Sequence, residues 1–291
     1  MQDNNIKFIK AIFFPFLILS LILLIYFYIQ YQNQEKELAI KKYFDFNSEL
    51  LLNTIEEERL NVLTVSLILS SNKDIKKCIL EKEDNQCSTT LNNYVETLKN
   101  IPLYSNILIH VHSKDFKSIA RSWNSKLHGD DLSTFRYTLL NTKLNMKPLA
   151  GIEVGRCGVF SRGISPVLDK KEFIGSIEVM LDFSHLYKLA KSQGYNLFMI
   201  IDKRYSTDCF YSKHNILKNH ILLNPEYANL NIAPMLNEIN LNDKNLQKIG
   251  KNYLYSKPFK DVNNNLIGHI VMHINEDDKE RSFSTLHSIF K

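Results

Sequence analysis

The sequence predicts an α+β protein with an N-terminal membrane helix, a long second helix and two successive groups of antiparallel strands. Three observations lead to this fold class. Residues 11–29 form an uncharged apolar run, and residues 33–72 contain neither Gly nor Pro. From residue 107 onward, apolar side chains alternate in short runs with turn residues between them, which is typical of strands.

The apolar run at residues 11–29 is long enough to cross a membrane. At about 1.5 Å per residue, its 19 residues nearly match the roughly 30 Å hydrocarbon core of a bilayer. Lys7 and Lys10 precede it, and Tyr26, Tyr28 and Tyr31 stand at its far end, where interfacial aromatics are common. We expect a cytoplasmic tail at residues 1–10 and an uncleaved transmembrane helix at 11–30. A cleaved signal and a buried core helix are the alternatives.

Residues 33–72 predict one long helix with an apolar stripe. The stripe consists of Phe46, Leu50, Leu60, Leu63 and Leu67. A helix of this length must bury such a stripe either on its own domain or against a partner. Both arrangements remain open, and the second predicts a homodimer through the long helix.

The remaining residues predict two α+β modules in series. Helices are expected within 72–100, at 131–144 with Asp130 or Asp131 as its N-terminal cap, and at 184–192. Strands are expected near 107–111, 116–123, 151–154, 158–167, 172–181, 195–202, 251–259 and 265–274. The two strand groups divide the chain into modules at residues 73–192 and 193–275, followed by a C-terminal tail at 276–291.

Composition excludes several classes of protein. The chain has 36 Lys and Arg against 31 Asp and Glu, a net charge of +5 that is too diffuse for a nucleic-acid binder. Four Cys in 291 residues exclude a disulfide-dense scaffold. Cys78 and Cys87 are close enough in sequence for a disulfide outside the cytoplasm, and Cys157 with Cys209 is a weaker candidate.

No motif predicts a catalytic centre, a cofactor or a metal site. The sequence contains no G-x-S-x-G, Walker or dinucleotide-binding pattern, and no Cys-x-x-Cys pair. His110 and His112 share one strand face, as do His269 and His273, but neither pair has a third ligand at a fixed spacing. We therefore expect a protein that is not an enzyme.

Polar and aromatic side chains concentrate between residues 121 and 178. Arg121 and Trp123 stand two residues apart and so share one face of a strand. An arginine grips a carboxylate with two parallel hydrogen bonds, and an indole provides a stacking wall. The alternative is that the charged residues form structural pairs, for example Arg162 with Glu178, or Arg136 with Glu153.

The same region resembles a known sensory family. The segments RSWNSKLHGDDLSTFR (121–136), GIEVGRCGVFSRGISPV (151–167) and IGSIEVMLDF (174–183) resemble the double Cache domain of the third double-Cache type, which occurs in bacterial chemoreceptors, sensor kinases and diguanylate cyclases. The resemblance implies two PAS-like modules, the membrane-distal one binding a small metabolite. The residues expected to form the pocket are Arg121, Trp123, Arg136, Glu153, Arg156 and Arg162.

The resemblance implies an extracytoplasmic sensor anchored in the bacterial inner membrane by a single helix. The expected ligand is a carboxylate, an amino acid or an amine, and the expected output is that of a methyl-accepting chemoreceptor. Such receptors usually continue into a second membrane helix and a signalling domain, which this sequence lacks after residue 275. The alternatives are therefore a split receptor that acts through a separate signalling protein, a truncated receptor, or a structural or interaction protein without a ligand.

Overall fold

The computed structural model describes residues 2–81, 84–156, 158–205, 217–243 and 245–278. Cys157, Cys209 and most of the expected tail at 276–291 lie outside these ranges. Two compact units are present, residues 1–47 and 48–291. The first unit contains the whole apolar run. Over its most apolar 18 residues the mean hydropathy is 2.2, and among the described residues this is the one helix long and apolar enough to cross a membrane.

Helices dominate the first hundred residues, and strands dominate the rest of the described chain. The helices are α1 (Gln2–Ser70), α2 (Lys73–Glu81), α3 (Asp84–Leu98), α4 (Tyr137–Asn145) and α5 (Ser184–Gln193). The strands are β1 (Leu108–Ser113), β2 (Ser118–Arg121), β3 (Leu149–Gly155), β4 (Gly158–Asp169), β5 (Glu172–Leu181), β6 (Asn196–Asp202), β7 (His220–Leu222), β8 (Gln247–Ile249), β9 (Asn252–Lys260) and β10 (Leu266–Asn275).

Two antiparallel five-stranded sheets form the second unit, and both have the same strand order. The first sheet has the strand order β2-β1-β5-β4-β3, and the second has the order β7-β6-β10-β9-β8. The five strands of each sheet are therefore arranged in the same way. The predicted α+β class with two antiparallel modules is therefore confirmed. The short edge strands β7 and β8 were not predicted, because three residues are too few to show an alternating pattern.

Three helices cover one face of the first sheet. Val62 of α1, Ile75 of α2 and Leu91 of α3 share a buried core with Ile109 of β1 and Ile177 of β5. The helix α1 approaches so closely that a Cβ atom at Gly163 would lie 2.3 Å from the backbone of Val62. These three helices do not cover the opposite face of the sheet.

The long helix differs from its prediction in two ways. Helix α1 runs without a break through the two segments predicted at 11–30 and 33–72, and it ends at Ser70. Of the two arrangements open for the predicted stripe, packing on its own domain does not hold for Leu60 and Leu67, since both are exposed. The buried face is one step around the helix, where Leu51, Ile55 and Val62 lie. Apolar residues occupy both faces of α1, so periodicity did not decide which face packs.

Helix α1 also carries a buried charge. The Glu58 carboxylate is buried, and its Oε1 lies 2.5 Å from Nε2 of His185 on α5. Burial raises the pKa of Glu58, and this effect outweighs the nearby imidazole, which lowers it. The contact joins the long helix to the connection between the two sheets.

The two sheets contact each other through β3 and the β9–β10 turn. The backbone N–H of Val262 donates to the carbonyl of Ile152 at 2.8 Å, and a Cβ atom at Gly151 would collide with the Val262 side chain. The Tyr187 hydroxyl on α5 donates to the carbonyl of Leu223 at 2.6 Å. Helix α5 is therefore tied to the segment that follows β7 in the second module.

Helix α4 begins six residues later than predicted. Its first residue is Tyr137, and neither Asp130 nor Asp131 caps it. The Glu153 carboxylate of β3 accepts from the Thr138 backbone N–H at 3.0 Å and from the Thr138 hydroxyl at 2.7 Å, so a distant residue supplies the cap. The helix predicted at 131–144 is present, but its predicted start and cap were wrong, because the cap comes from a strand that follows in the chain.

A disulfide joins Cys78 to Cys87 between α2 and α3. Their Cα atoms lie 5.1 Å apart, within the usual range for a bridged pair. The bridge ties the two short helices together beside the first sheet.

Candidate functional site

The open face of the first sheet carries a concentration of charged side chains. His110 and His112 project from β1, Arg162 from β4 and Glu178 from β5, and all are buried. The alternation along each strand explains this, because neighbouring residues such as Ile109 and Val111 point to the core on the opposite face.

A buried ion network forms the floor of this face. Arg136 donates through Nε to Oε2 of Glu153 at 2.6 Å, and its Nη2 pairs with Oε1 of Glu178. Arg162 donates through Nη1 to the same Glu178 oxygen at 2.8 Å and through Nε to the Glu153 carbonyl at 3.2 Å. Two guanidinium groups and two carboxylates therefore compensate one another by direct contact.

The network shifts the pKa values of its members. Burial alone would raise the pKa of Glu178, but the charges of Arg136 and Arg162 outweigh it and hold that pKa well below its usual range. Burial also works against the charge on Arg136, and the two carboxylates overcome it and raise its pKa. Glu178 and Arg136 are thus charged at neutral pH.

A cavity of about 280 Å³ lies above this floor. Its polar lining consists of His110, Arg121, Asp130, Arg136, Arg156 and Arg162, and its apolar lining includes Trp123, Phe135, Phe160 and Met180. This combination of apolar walls and a few placed charges is typical of small-molecule sites.

Arg121 and Arg156 form the upper wall of the cavity around one aspartate. Arg121 Nη2 donates to both carboxylate oxygens of Asp130 at 2.8 Å, and its Nη1 donates to the Leu127 carbonyl at 2.5 Å. Arg156 reaches the same carboxylate at 3.2 Å, and its side chain is 55% exposed. Arg156 is therefore a charge at the rim.

Five of the six predicted pocket residues line this one cavity: Arg121, Trp123, Arg136, Arg156 and Arg162. Glu153 is not among the lining residues, since it lies behind Arg136 and caps α4. Both structural pairs considered from the sequence are present, Arg136 with Glu153 and Arg162 with Glu178.

The sequence did not predict that His110 lines this cavity. The His110 ring lies edge-on to Trp123 with 5.5 Å between ring centroids, and it meets His112 and Glu178 below the cavity. The spacing of His110 and His112 was visible in the sequence, but Glu178 joins them only through the register of β1 on β5.

A comparison with known protein families supports the fold. A family model described as the double sensory domain of two-component sensor kinases matches residues 46–278. The chain belongs to this family, dCache_3. The resemblance noted from the sequence is thereby confirmed, and this dCache_3 chain carries a double sensory domain of the kind found in two-component sensor kinases.

The solved structures that this chain resembles are distant in sequence. The sensor domain of the Vibrio cholerae histidine kinase DctB has a TM-score of 0.51 at 15% identity, covering 84% of this dCache_3 chain and 98% of that chain. A domain of a putative sensory box/GGDEF family protein from Vibrio parahaemolyticus has a TM-score of 0.48 at 13% identity, covering 85% and 99%.

A chemoreceptor domain is also among the similar structures. The ligand-binding domain of the Pseudomonas fluorescens chemoreceptor CtaA, solved with L-serine, has a TM-score of 0.46 at 10% identity, covering 82% of this chain and 98% of that one. No curated protein matches this sequence.

Proposed function

We propose that this chain is a membrane-anchored sensor whose membrane-distal module, residues 73–192, binds a small anionic metabolite in the cavity beside Trp123. The observation that carries the proposal is the set of four arginines, Arg121, Arg136, Arg156 and Arg162, around one cavity of about 280 Å³. The family supports a sensory function, and the charge of the cavity supports the class of ligand.

The charge balance of the cavity favours a carboxylate. Four guanidinium groups line the cavity, and among its described lining residues Asp130 alone carries a carboxylate. Glu153 and Glu178 pair with Arg136 and Arg162 from below. The lining itself therefore has a surplus of positive charge. Because Arg156 is at the rim, its guanidinium group can turn from Asp130 to a ligand without breaking the buried network of Arg136, Arg162, Glu153 and Glu178. An organic acid or an amino acid bound by its carboxylate fits this surplus, whereas a simple amine does not.

The size of the cavity limits the ligand to a small metabolite. Pockets for drug-sized molecules measure about 300–1,000 Å³, so a cavity of about 280 Å³ suits a molecule of amino-acid size. Trp123 and Phe160 supply apolar walls for its carbon skeleton.

Signalling requires that the ligand favours one of two arrangements of the long helix. We propose that the sheet transmits this bias, because Gly163 and Ser165 of β4 contact α1 on the face opposite Arg162. The Ser66 and Ser165 hydroxyls lie 2.8 Å apart. The exposed Leu60 and Leu67 are then available to pair two copies in a homodimer.

The proposed location is the bacterial inner membrane, crossed once by the N-terminal apolar helix. Residues 1–10 lie in the cytoplasm in this arrangement, and the modules at 73–192 and 193–275 lie outside. The proposed output is that of a methyl-accepting chemoreceptor, given directly or through a separate signalling protein.

A second candidate is a structural or interaction protein with no ligand. The observation that favours it is the ion network, because Arg136 and Arg162 are already compensated by Glu153 and Glu178. On this alternative the cavity stays empty and the long helix binds a partner.

The two candidates are distinguished by a thermal-shift screen of the full chain in detergent against organic acids, amino acids and amines. A ligand at 100 times its Kd adds about 2.7 kcal/mol to the free energy of unfolding, which raises Tm by roughly 5–10 °C in a domain of this size. An anionic hit supports the sensor, and a folded protein that responds to no compound supports the alternative.

Arg156→Ala and Arg59→Ala provide a matched pair of variants. Each arginine is partly exposed, with 55% and 39% of its side chain accessible, and each pairs with one carboxylate. Losing a charged hydrogen bond of about 1.5–3 kcal/mol weakens an anionic ligand by roughly 10- to 100-fold in Arg156→Ala. The affinity of Arg59→Ala stays that of the wild type, and equal losses in both variants would contradict the proposed cavity.

A further inference from the structure

Three buried side chains meet on the floor of the distal module and are arranged like metal ligands. His110 and His112 project from the same face of β1, and Glu178 lies directly opposite His110 in the β1–β5 register. All three are buried, and each offers one ligand atom to the same point. Two imidazoles and one carboxylate form a common ligand set for Zn²⁺ and related divalent metals.

The distances among the three ligand atoms suit a metal of this size. His110 Nδ1 and His112 Nε2 are 2.9 Å apart, and Glu178 Oε2 lies 3.5 Å and 3.6 Å from them. The point equidistant from these atoms lies about 1.9 Å from each, close to the roughly 2.0–2.2 Å of Zn–N and Zn–O bonds. We propose that His110, His112 and Glu178 form a site for Zn²⁺ or a similar divalent transition metal.

The outer nitrogens of both imidazoles are held as metal-binding histidines require. His110 Nε2 lies 2.8 Å from the Ser118 hydroxyl, and His112 Nδ1 lies 3.1 Å from the Ser176 hydroxyl. When each outer nitrogen donates its proton to a serine, the inner nitrogens keep their lone pairs for a metal.

The two oxygens of the Glu178 carboxylate have different main partners. Its Oε1 receives both arginines, Arg136 and Arg162, whereas Oε2 faces the two histidines and accepts only a longer hydrogen bond, at 3.4 Å, from Nη1 of Arg136.

The cavity gives the cluster a path to solvent and a source of a fourth ligand. His110 lines the cavity, so an ion and a coordinating water reach the cluster from that side. Because Arg136 and Arg162 already balance Glu153 and Glu178, a bound dication adds net positive charge, which favours an anion in the fourth position. The metal site does not depend on the proposed ligand and is tested with the metal alone.

The test is a Zn²⁺ titration of the full chain in detergent, purified without a histidine tag and stripped with a chelator. Competition with a chromophoric chelator measures affinity, and elemental analysis measures stoichiometry. We expect one Zn²⁺ per chain in the wild type and a loss of at least 100-fold in affinity in His110→Gln and in His112→Gln. The control is His273→Gln, because His273 is equally buried but lies in the second sheet, bonded to Asn196 and Asn252.

A milder variant covers the case in which a glutamine at either histidine unfolds the protein. Ser176→Ala removes a single hydroxyl and is expected to lower Zn²⁺ affinity by roughly 10- to 100-fold. Co²⁺ provides a second readout, since a four-coordinate site gives visible absorption bands in the wild type that Ser176→Ala weakens.

Two outcomes would overturn the site. The serines and histidines could instead form a closed hydrogen-bond chain from Ser118 through His110 and His112 to Ser176, and then the wild type would bind no Zn²⁺. Binding that survives unchanged in Ser176→Ala and in both folded glutamine variants would place the ion elsewhere in the chain.

Discussion

Replacing Glu178 by glutamine tests whether the ion network on the floor of the cavity stabilises the distal module as one unit. The substitution keeps the shape of the side chain and removes its charge. Arg136 then keeps the carboxylate of Glu153, whereas Arg162 keeps only the Glu153 backbone carbonyl, and each arginine side chain is only 4% exposed. Breaking a buried charge network in this way costs about 3–5 kcal/mol, because a buried charge is left uncompensated.

The expected loss is large enough for a simple unfolding assay. For a domain of this size, each kcal/mol lowers Tm by about 2–4 °C, so Glu178→Gln should lower Tm by roughly 6–20 °C. The assay is thermal and urea unfolding of the full chain in detergent, followed by circular dichroism. A chelator is present throughout, so that any loss of bound metal does not contribute.

The matched control is Glu56→Gln, which removes the partner of Arg59 on the exposed side of α1. Its side chain is 54% exposed, so the free energy of unfolding should change by no more than about 0.5 kcal/mol. The reasoning is refuted if Glu178→Gln is destabilised by less than about 1 kcal/mol, or if the two variants lose equal stability.

Three further predictions concern contacts of the helices α1, α2 and α3. Glu58→Gln should raise Tm at pH 7–8. The reason is that a carboxyl group whose pKa is raised in the folded state destabilises that state at any pH above its unfolded pKa. At pH 4 the same variant should show a smaller gain in Tm. Gly163→Ala should lose about 1–3 kcal/mol in urea unfolding, since the new Cβ collides with the α1 backbone, and an unchanged midpoint would contradict that packing. Replacing Cys78 and Cys87 by serine should lower stability by about 2–3 kcal/mol, the entropy of a loop with nine residues of separation; a variant as stable as the oxidised wild type would oppose this.

Much of the fold could be predicted from local patterns. The strands β1, β4, β5, β9 and β10 could be predicted, because each is at least six residues long and contains several apolar or β-branched residues. The start of α4 could not be predicted, because its cap is the Glu153 carboxylate from a later strand.

The predicted pocket residues are brought together for a physical reason that the sequence reveals only in part. Arg121, Trp123, Arg136, Arg156 and Arg162 share one cavity, as the spacing and the family resemblance suggested. Which of their charges are compensated depends on the strand register, and the register places Glu178 beside both His110 and Arg162. No local pattern contains that information, because the partner residues stand 16 and 68 positions apart.

The most direct test of the central claim is the fluorescence of Trp123. It is the only tryptophan in the chain, it lines the cavity, and 43% of it is exposed. We predict that an anionic compound that stabilises the full chain covers the indole and shifts its emission to shorter wavelength, with a midpoint raised at least tenfold in Arg156→Ala and unchanged in Arg59→Ala. A compound that stabilises the chain yet leaves Trp123 emission unchanged would place the ligand outside this cavity and contradict the account.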